Sequence, residues 1–417
     1  MPQAMCKTNN EMKDACVKWG KSKIKYCADF MPICHNADLL PESEVTFTPM
    51  ECIKQGFFEN RHAALSSISG SYTAYQEGDI VIAKVTPCFE NGNIAVMSGL
   101  YSGVGFGSSE LFVLRPKKIN TGFLFYCLRS EDFINMGKST MTGTGGLKRV
   151  SGYAVMNYSF RVPPLPEQTA IAEYLDDKCA AIDEIIAEAK ATIEEYKAWK
   201  ASVIFEAVTK GLDPNAEMKD SGVEWIGMMP KHWRLSRIKN ECINMDYLRE
   251  PISAENRVNT KGSYDYYGAS GVIDKIDDYN VDDTVLLIGE DGANLVYRNL
   301  PLVYRASGKF WVNNHAHILK VNEDNDYDFM AFVLESGDYF NYITGSAQPK
   351  LSQFNLMRFS IPMPPSDEQR QISKVISKKC ATIDAIITEK EALIADMESY
   401  KKSLIFEAVT GKRRVAV

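Results

Sequence analysis

Two histidines in the stretch WVNNHAH come nearest to a catalytic or metal-binding pattern. His315 and His317 alternate on a predicted strand, a spacing at which two imidazoles could share a metal ion. No third ligand lies at an informative spacing along the chain. Glu290 and Asp291 in GEDGAN could bind a cation, but two acids beside glycines more often form a hydrogen-bonded turn. The sequence therefore predicts no metal centre.

Two other stretches resemble nucleotide-binding loops only in part. GKST at 137–140 has the ending of a phosphate loop, but the earlier glycine is missing because position 132 is Asp. GVGFG at 103–107 has the wrong spacing for a dinucleotide turn. We also find no Ser-His-Asp constellation, methyl-donor motif or nuclease carboxylate cluster. The sequence thus argues against an enzyme that acts alone, and no catalytic residue is predicted.

The polar residues that remain are of types that contact DNA. WVNNHAH is predicted to place Trp311, Asn313, His315 and His317 on one face of a strand, from which they could reach base edges. A hydrated surface or a buried polar network would give the same pattern.

Two basic loops lie at equivalent places in the chain and are predicted to contact phosphates. Lys148 and Arg149 lie in the first loop and Lys350 in the second, and each loop is followed by a serine, Ser151 or Ser352. Ordinary solvated basic turns remain the alternative interpretation of these residues.

An internal repeat predicts the helices that position these loops. Residues 167–208 align with residues 368–409 without a gap, at a constant offset of 201. In each copy apolar residues step by four and three, as in a coiled-coil seam, with Lys200 and Lys401 as polar interruptions. The predicted seam consists of Leu175, Cys179, Ile182, Ile186 and Ile193 in the first copy and Ile376, Cys380, Ile383, Ile387 and Ile394 in the second. Two unrelated surface helices are the alternative.

The ends of both helices carry recognisable signals. Pro166 suits the first helical turn of copy one, and Ser366 to Gln369 is predicted to form a capping box in copy two. Gly211 and Gly411 lie where the helices should stop. Each helix of about 44 residues would be roughly 65 Å long.

Geometry predicts that the two helices are antiparallel. Residues 212–365 connect the end of the first helix to the start of the second. In a parallel pair these points would be roughly 65 Å apart. A globule of about 154 residues has a radius of gyration near 15 Å and would bridge that distance only awkwardly.

The predicted organisation is two globular domains, 1–165 and 212–365, alternating with two repeat helices, 166–211 and 366–417. Gly-, Asn- and Asp-rich turns between short β-rich runs predict α/β domains. The domains are related, because KRVSGYAVMNYSFRVPP aligns with PKLSQFNLMRFSIPMPP and EMKDACVKW with EMKDSGVEW. Their middles differ widely. The first copy lacks a counterpart of IGMMPKHW, which leaves the start of its domain abbreviated.

Charge and cysteine content limit the possible partners and compartment. The net charge is −7, but residues 1–165 carry 17 basic and 14 acidic side chains, whereas 212–365 carry 15 and 22. DNA contacts must therefore come from local clusters or from partner subunits. The 10 cysteines include no CxxC pair, and the N-terminus is polar. We expect a cytoplasmic protein with reduced thiols and no membrane partner.

At this point the sequence resembles a known family. PPLPEQTAIAEYLD and PPSDEQRQIS, each leading into a helix that ends in EAVT, look like the two central repeats of type I restriction–modification specificity subunits. SGVEWIGMMPKHW and GSAQPKLSQ are similar to phrases that open and close that family's target-recognition domains. The resemblance covers nearly the whole chain.

The resemblance implies two target-recognition domains separated by an antiparallel pair of long coiled-coil helices, each domain reading half of a split site in double-stranded DNA. It also implies two methyltransferase subunits bound around the helices, and restriction subunits that translocate and cleave DNA with ATP. S-adenosylmethionine, ATP and Mg would bind those partners, and this subunit would hold no cofactor. Two alternatives remain: a DNA methyltransferase or nuclease acting alone, and a structural coiled-coil adaptor without base recognition.

Overall fold

The chain divides into two compact units that each combine a globular domain with half of both long helices. The computed structural model describes residues 19–34, 39–68, 71–144, 146–257, 262–345 and 347–415. The first unit consists of Met1–Ala189 and Ala392–Val417, and the second of Lys190–Glu391. None of the helices in these ranges is both long and apolar enough to cross a membrane.

The first domain consists of short strands followed by helices. Its strands are β1 (Gly20–Lys23), β2 (Ala28–Phe30), β3 (Glu44–Thr48), β4 (His62–Ala64), β5 (Thr73–Gln76), β6 (Ile80–Ala83), β7 (Ile94–Val96), β8 (Val104–Gly107), β9 (Leu111–Pro116) and β10 (Ser159–Val162). Its helices are α1 (Thr121–Arg129), α2 (Glu131–Ser139) and α3 (Gly152–Asn157), and the chain then enters the long helix α4 (Leu165–Lys210). GKST therefore begins inside α2 and forms no phosphate loop.

The second domain has the same general composition. Its strands are β11 (Met218–Asp220), β12 (Met228–Pro230), β13 (Arg234–Arg237), β14 (Cys242–Asn244), β15 (Tyr264–Gly268), β16 (Gly271–Ile276), β17 (Val281–Gly289), β18 (Val303–Val312), β19 (Ala316–Val321), β20 (Ile343–Thr344), β21 (Lys350–Leu351) and β22 (Ser360–Met363). Its helices are α5 (Ile238–Glu241), α6 (Ala254–Arg257), α7 (Asn294–Tyr297), α8 (Tyr327–Ser336) and α9 (Gln353–Arg358), followed by the long helix α10 (Ser366–Thr410).

The two domains share one strand order even where their sequences differ. The second domain forms a six-stranded sheet in the order β14-β19-β17-β18-β15-β16. In the first domain the order β2-β9-β6-β7 forms one sheet and β4-β3-β8-β5 another. The strand β17 corresponds to β5 and β6 together, and β18 corresponds to β7 and β8 together. The parallel pairing supports this assignment, because β3 pairs with β8 as β15 pairs with β18. The two domains therefore share their strand order even in the central segments whose sequences differ.

The long helices pack against each other in opposite directions within each unit. In the first unit, Lys401 Nζ lies 2.6 Å from Asp183 Oδ2. In the second, Lys200 Nζ lies 2.6 Å from Asp384 Oδ1. Since a later residue of one helix meets an earlier residue of the other in both units, the pairing is antiparallel. The predicted fold class, two α/β domains with an antiparallel pair of long helices, is confirmed.

The residues of the predicted seam lie on the packed faces of these helices. Buried members are Leu175, Cys179, Ile182, Ile186, Ile193, Ile376, Cys380 and Ile383, whereas Ile387 and Ile394 are partly buried. In the first unit this face packs against the C-terminal part of α10, around Leu404 and Ala408. In the second it packs against the C-terminal part of α4, around Ala207 and Val208.

The predicted capping box at the start of α10 does not form. Ser366 Oγ donates to the carbonyl of Asp324, 2.6 Å away. The Gln369 amide accepts from the Asp326 N–H and donates to the Pro364 carbonyl. Neither side chain accepts from the backbone N–H of the other residue as a capping box requires, because tertiary partners compete with the local cap. Both side chains join the helix to the second domain.

A tryptophan anchors the first domain to its helices. Trp19 Nε1 donates to Glu167 Oε2 across 3.2 Å, at the start of α4. The ring also lies against Gly411 at the end of α10, where a Cβ atom would stand 3.2 Å from Trp19 Cζ3. Gly411 has φ +76°, as glycine at a helix C-terminus commonly does.

The second domain has the same anchor, which changes the alignment of the two domain starts. Trp233 Nε1 donates to Glu368 Oε1 across 3.0 Å, and its ring lies against Gly211. Trp19 therefore corresponds to Trp233, and WGKSKIK aligns with WRLSRIK. The sequence echo had paired Trp19 with Trp225 instead. The abbreviated part lies upstream of Trp19, in residues outside the described ranges.

Candidate nucleic-acid interface

Backbone hydrogen bonds define an equivalent corner at one end of the sheet in each domain. In the first domain the Lys84 N–H donates to the Glu110 carbonyl, and Lys84 accepts from the Val150 N–H. In the second domain Glu290 makes the same two bonds, with the His315 carbonyl and the Leu351 N–H. Position 84 therefore corresponds to 290, and 110 to 315. The predicted basic loops, at 149 and 350, close both corners.

The first corner consists of Lys84, Glu110 and Arg149. The Arg149 guanidinium donates two bonds to the Glu110 carboxylate, at 2.8 and 2.7 Å. Lys84 Nζ lies 4.0 Å from the same carboxylate. The hydrogen bonds from Arg149 hold the pKa of Glu110 below its usual range. Two cations share one anion, and the Arg149 side chain remains 45% exposed, so the corner presents net positive charge to solvent.

The second corner consists of Arg249, Glu290 and Lys350, with Asp291 and His315 beside them. Lys350 Nζ lies 3.0 Å from Glu290 Oε1, and Arg249 pairs with the other carboxylate oxygen. Burial alone would raise the pKa of Glu290, but the bonds from Lys350 and Arg249 hold it below its usual value. The Lys350 side chain is 55% exposed. Of the two acids in GEDGAN, Glu290 is thus held by cations of the chain itself, and Asp291 contacts His315.

The stretch WVNNHAH does not form one strand face, so this prediction was wrong. β18 ends at Val312, a turn follows, and β19 begins at Ala316. Asn313 is buried and its Oδ1 accepts from the His315 N–H across 2.8 Å, which closes the turn. His315 remains partly exposed, with Nδ1 2.8 Å from Asp291 Oδ2. A pair of asparagines, common turn residues, interrupts the alternation.

His317 lies in the interior of the second domain. Its Nδ1 is 2.6 Å from Asp246 Oδ2 and its Nε2 is 2.8 Å from the Leu351 carbonyl. A carbonyl oxygen can only accept, so Nε2 donates to Leu351, and the ring is buried from solvent. The proposed contact of His317 with base edges does not fit this burial. The ring instead fixes β21, which carries Lys350.

The serines of the two basic loops cap the helices that follow. Ser151 Oγ accepts from the Ala154 N–H at the start of α3, and Ser352 Oγ accepts from the Asn355 N–H at the start of α9. Lys148 is exposed, and its backbone N–H donates to Thr86 Oγ1 across 3.0 Å. DNA contacts by these residues stay predictions.

Two exposed aromatic rings beside the loops were not among the predicted site residues. Tyr153 in α3 is 81% exposed, and Phe354 in α9 is 67% exposed. They occupy equivalent positions at the offset of 201, which the aligned loop sequences already contained. Large exposed rings next to exposed cations suit contact with the grooves or sugars of a nucleic acid. In the described part of the chain, no three His, Cys, Asp or Glu side chains cluster as metal ligands would.

Comparisons with known proteins give a consistent result. A family model described as "Type I restriction modification DNA specificity domain" matches residues 21–195 and 232–395. The chain is 38% identical over 135 residues to the type I restriction enzyme EcoEI specificity subunit of Escherichia coli, covering 31% of this chain and 23% of that one. The chain thus matches about a quarter of that relative's length.

Two further matches extend over most of the chain. A putative type I restriction enzyme MjaX specificity subunit of Methanocaldococcus jannaschii is 25% identical over 352 residues, which cover 81% of this chain and 79% of that one. A structure solved for the complex assembly and conformational transition of the type I R-M system has a TM-score of 0.74 at 14% identity, over 95% of this chain and 98% of that chain. This second likeness shows a common fold.

Proposed function

Because the chain belongs to the type I restriction modification DNA specificity domain family, we propose that it is the DNA-specificity subunit of a type I restriction–modification complex. The observation that carries the proposal is the doubling of the family match, once in each globular domain. Two domains with one strand order and equivalent polar corners are suited to reading two halves of one bipartite site. Their different side chains would read different bases.

The subunit itself is proposed to be non-catalytic. Methylation and cleavage would be carried out by two methyltransferase subunits and by restriction subunits that bind S-adenosylmethionine, Mg and ATP. The long helices would dock the methyltransferase subunits, because their outer faces are exposed and polar along most of α4 and α10. The complex would act on double-stranded DNA in the cytoplasm.

Base reading by the second corner can be tested in cells that express the complete system. His315→Ala should change recognition of one half-site only, because the residue belongs to the second domain, and Asn313→Ala should do the same through the turn that holds His315. Glu110→Gln, at the position equivalent to His315, should change only the other half. Mapping methylated adenines across the host genome measures both effects for each variant.

Three results would contradict parts of this proposal. Relaxation of both half-sites by a single substitution would mean that the residue acts on assembly and not on base reading. Methylation or cleavage by the purified chain alone would favour an enzyme. Binding of DNA with no preference for the mapped site, in the presence of methyltransferase subunits, would favour a structural adaptor.

A further inference from the structure

The ribbon formed by β1 and β10 concentrates positive charge on its outer face. In its antiparallel register Lys21 lies directly opposite Arg161, and Lys23 lies opposite Ser159. The residues between these positions point to the other face of the ribbon, where Phe160 is buried. Because strand side chains point to the two faces in turn, Lys21, Lys23 and Arg161 share the outer face.

These cations have no acidic partner in the ranges that the structure describes. No carboxylate oxygen there lies within 4.0 Å of Lys21, Lys23 or Arg161. Like charges directly opposite in an antiparallel pair are destabilising. The pairing of Lys21 with Arg161 therefore lowers the stability of the ribbon. Because the ribbon keeps this unfavourable pair, we expect its positive charge to have a function.

The surface next to the ribbon exposes another cation and two aromatic rings. Lys25 and Tyr26 are exposed on the 3-10 helix that follows β1. This helix packs against α3, which carries the exposed Tyr153. Cations and aromatic rings therefore lie on two elements in contact.

The second domain provides an internal comparison. Its equivalent ribbon, β13 with β22, keeps a cation opposite serine, since Arg237 lies opposite Ser360 as Lys23 lies opposite Ser159. At the position of Lys21 it has Leu235 instead. The second ribbon thus retains part of the charge, and it belongs to the more acidic segment of the chain.

We propose that the basic ribbon, defined as Lys21, Lys23, Lys25 and Arg161, binds phosphates of the DNA duplex independently of sequence. This inference rests on the proposed function of the chain. A DNA backbone is favoured over a protein partner because lysine is depleted at protein–protein interfaces, whereas lysine and arginine side chains both contact phosphates. The ribbon would then contribute affinity alongside the phosphate contacts expected of Arg149 and Lys350, and residues such as His315 would contribute the reading of bases.

The test uses the double variant Lys21→Leu/Arg161→Gln in complex with methyltransferase subunits. Leucine is chosen because the equivalent ribbon carries Leu235. Affinity should fall by the same factor for a duplex with the mapped site and for a duplex of equal length without it. The slope of log affinity against log salt should decrease in magnitude by about two, since each phosphate contact contributes roughly 0.9. The methylated sequence should stay the same.

Stability separates this role from a structural one. Because the double variant removes a like-charge pair, its melting temperature should equal or exceed that of the parent. The matched control, Lys21→Arg/Arg161→Lys, keeps the charge and should keep the salt slope. Lys25→Gln, a single change at an exposed position, should reduce the slope by about one and serves if the double variant does not fold.

The outcomes are distinguishable. An unchanged salt slope in variants that still bind the site would overturn the proposal. Loss of methyltransferase subunits from the variant complex, measured by light scattering after gel filtration, would identify the ribbon as a protein-docking face and would also overturn it. A parent complex that shows no site preference would instead contradict the function proposed for the whole chain.

Discussion

In each corner one glutamate is held between two cations, and the more exposed cation of each pair is the group that a phosphate would meet. Arg149 and Lys84 share Glu110, while Lys350 and Arg249 share Glu290. An approaching phosphate need not displace the carboxylate, because the second cation keeps it neutralised. The exposed halves of Arg149 and Lys350 are therefore available for a charge-assisted contact.

We predict that Arg149→Ala and Lys350→Ala each weaken DNA binding by the complete complex without changing the methylated sequence. Each loss of a phosphate contact should reduce the salt slope by about one. Titrations of a site-containing duplex at several salt concentrations give the slope, and methylome mapping gives the sequence. Arg149→Lys is the matched control, which should keep most of the slope. A changed methylated sequence would mean that these side chains read bases.

A second prediction concerns Glu241, which is buried and accepts hydrogen bonds from Arg234 and Ser236 of β13. Burial would raise its pKa, but hydrogen bonds from Arg234, Ser236 and Asn325 lower the value to about 2 from 4.5. A carboxyl whose folded pKa is depressed stabilises the fold above its unfolded pKa and stops doing so as pH falls through the folded one. The second domain should therefore lose stability between about pH 4.5 and 2.

The measurement is urea unfolding at a series of pH values, for the parent chain and for Glu241→Gln. The substitution should cost roughly 1–3 kcal/mol at neutral pH, because the hydrogen bonds to a charged acceptor are weakened. It should also remove most of the acid-dependent loss of stability in that window. If parent and variant lose stability in parallel as pH falls, other carboxylates cause the effect.

At the scale of elements, the periodic parts of the chain were the predictable ones. The long helices, their seam and their terminal glycines follow from local repetition, which needs no knowledge of distant partners. The burial of His317 was not predictable, because its partner Asp246 lies 71 residues away in sequence. The shared strand order was also hidden, since the hairpins that create it differ in sequence. The sequence did hold a signal for the turn at Asn313, in its pair of asparagines, and for the equivalence of Trp19 and Trp233, in WGKSKIK and WRLSRIK.

The tryptophan anchors lead to a prediction about how each domain is held on its helices. Trp19→Phe and Trp233→Phe should each destabilise their own unit by about 1–2 kcal/mol, because each loses one hydrogen bond to a glutamate while the ring packing remains. Similar costs are expected, since each indole donates one hydrogen bond to the glutamate at the start of a long helix. Thermal unfolding and limited proteolysis of both variants measure this. A negligible cost for Trp19→Phe alone would mean that the abbreviated start leaves the first anchor ineffective.

At the scale of the molecule, one duplicated sequence supplies both ion pairs of the helical seam. Adding the offset of 201 to Asp183 gives Asp384, and adding it to Lys200 gives Lys401. When a helix pairs antiparallel with its own copy, the Asp of each copy meets the Lys of the other. The same ion pair therefore forms once in each unit. Polar residues in an apolar seam commonly specify register. These pairs therefore fix how the two copies align.

The last prediction is that the helical pair sets the spacer of the DNA site. Because the first unit pairs Lys401 with Asp183 and the second pairs Lys200 with Asp384, both helices must be shortened together, and one heptad is removed at mid-length in each. Deleting both heptads, near residues 190 and 391, preserves the seam and withdraws roughly 10 Å of helix. At about 3.4 Å per base pair, the gap should shorten by roughly three base pairs.

Such a deletion also turns one half-site relative to the other. Three base pairs correspond to a rotation of about 100° on a duplex of 10–10.5 pairs per turn. The protein or the DNA has to twist by that amount for both domains to reach their half-sites. We therefore expect a shorter preferred gap together with weaker binding, while both half-sequences stay unchanged. Selection of bound duplexes from a library with randomised spacer length, using the variant with its methyltransferase subunits, measures the gap directly. A deletion of both heptads that folds and binds DNA but keeps the original gap would exclude the helices as the spacer.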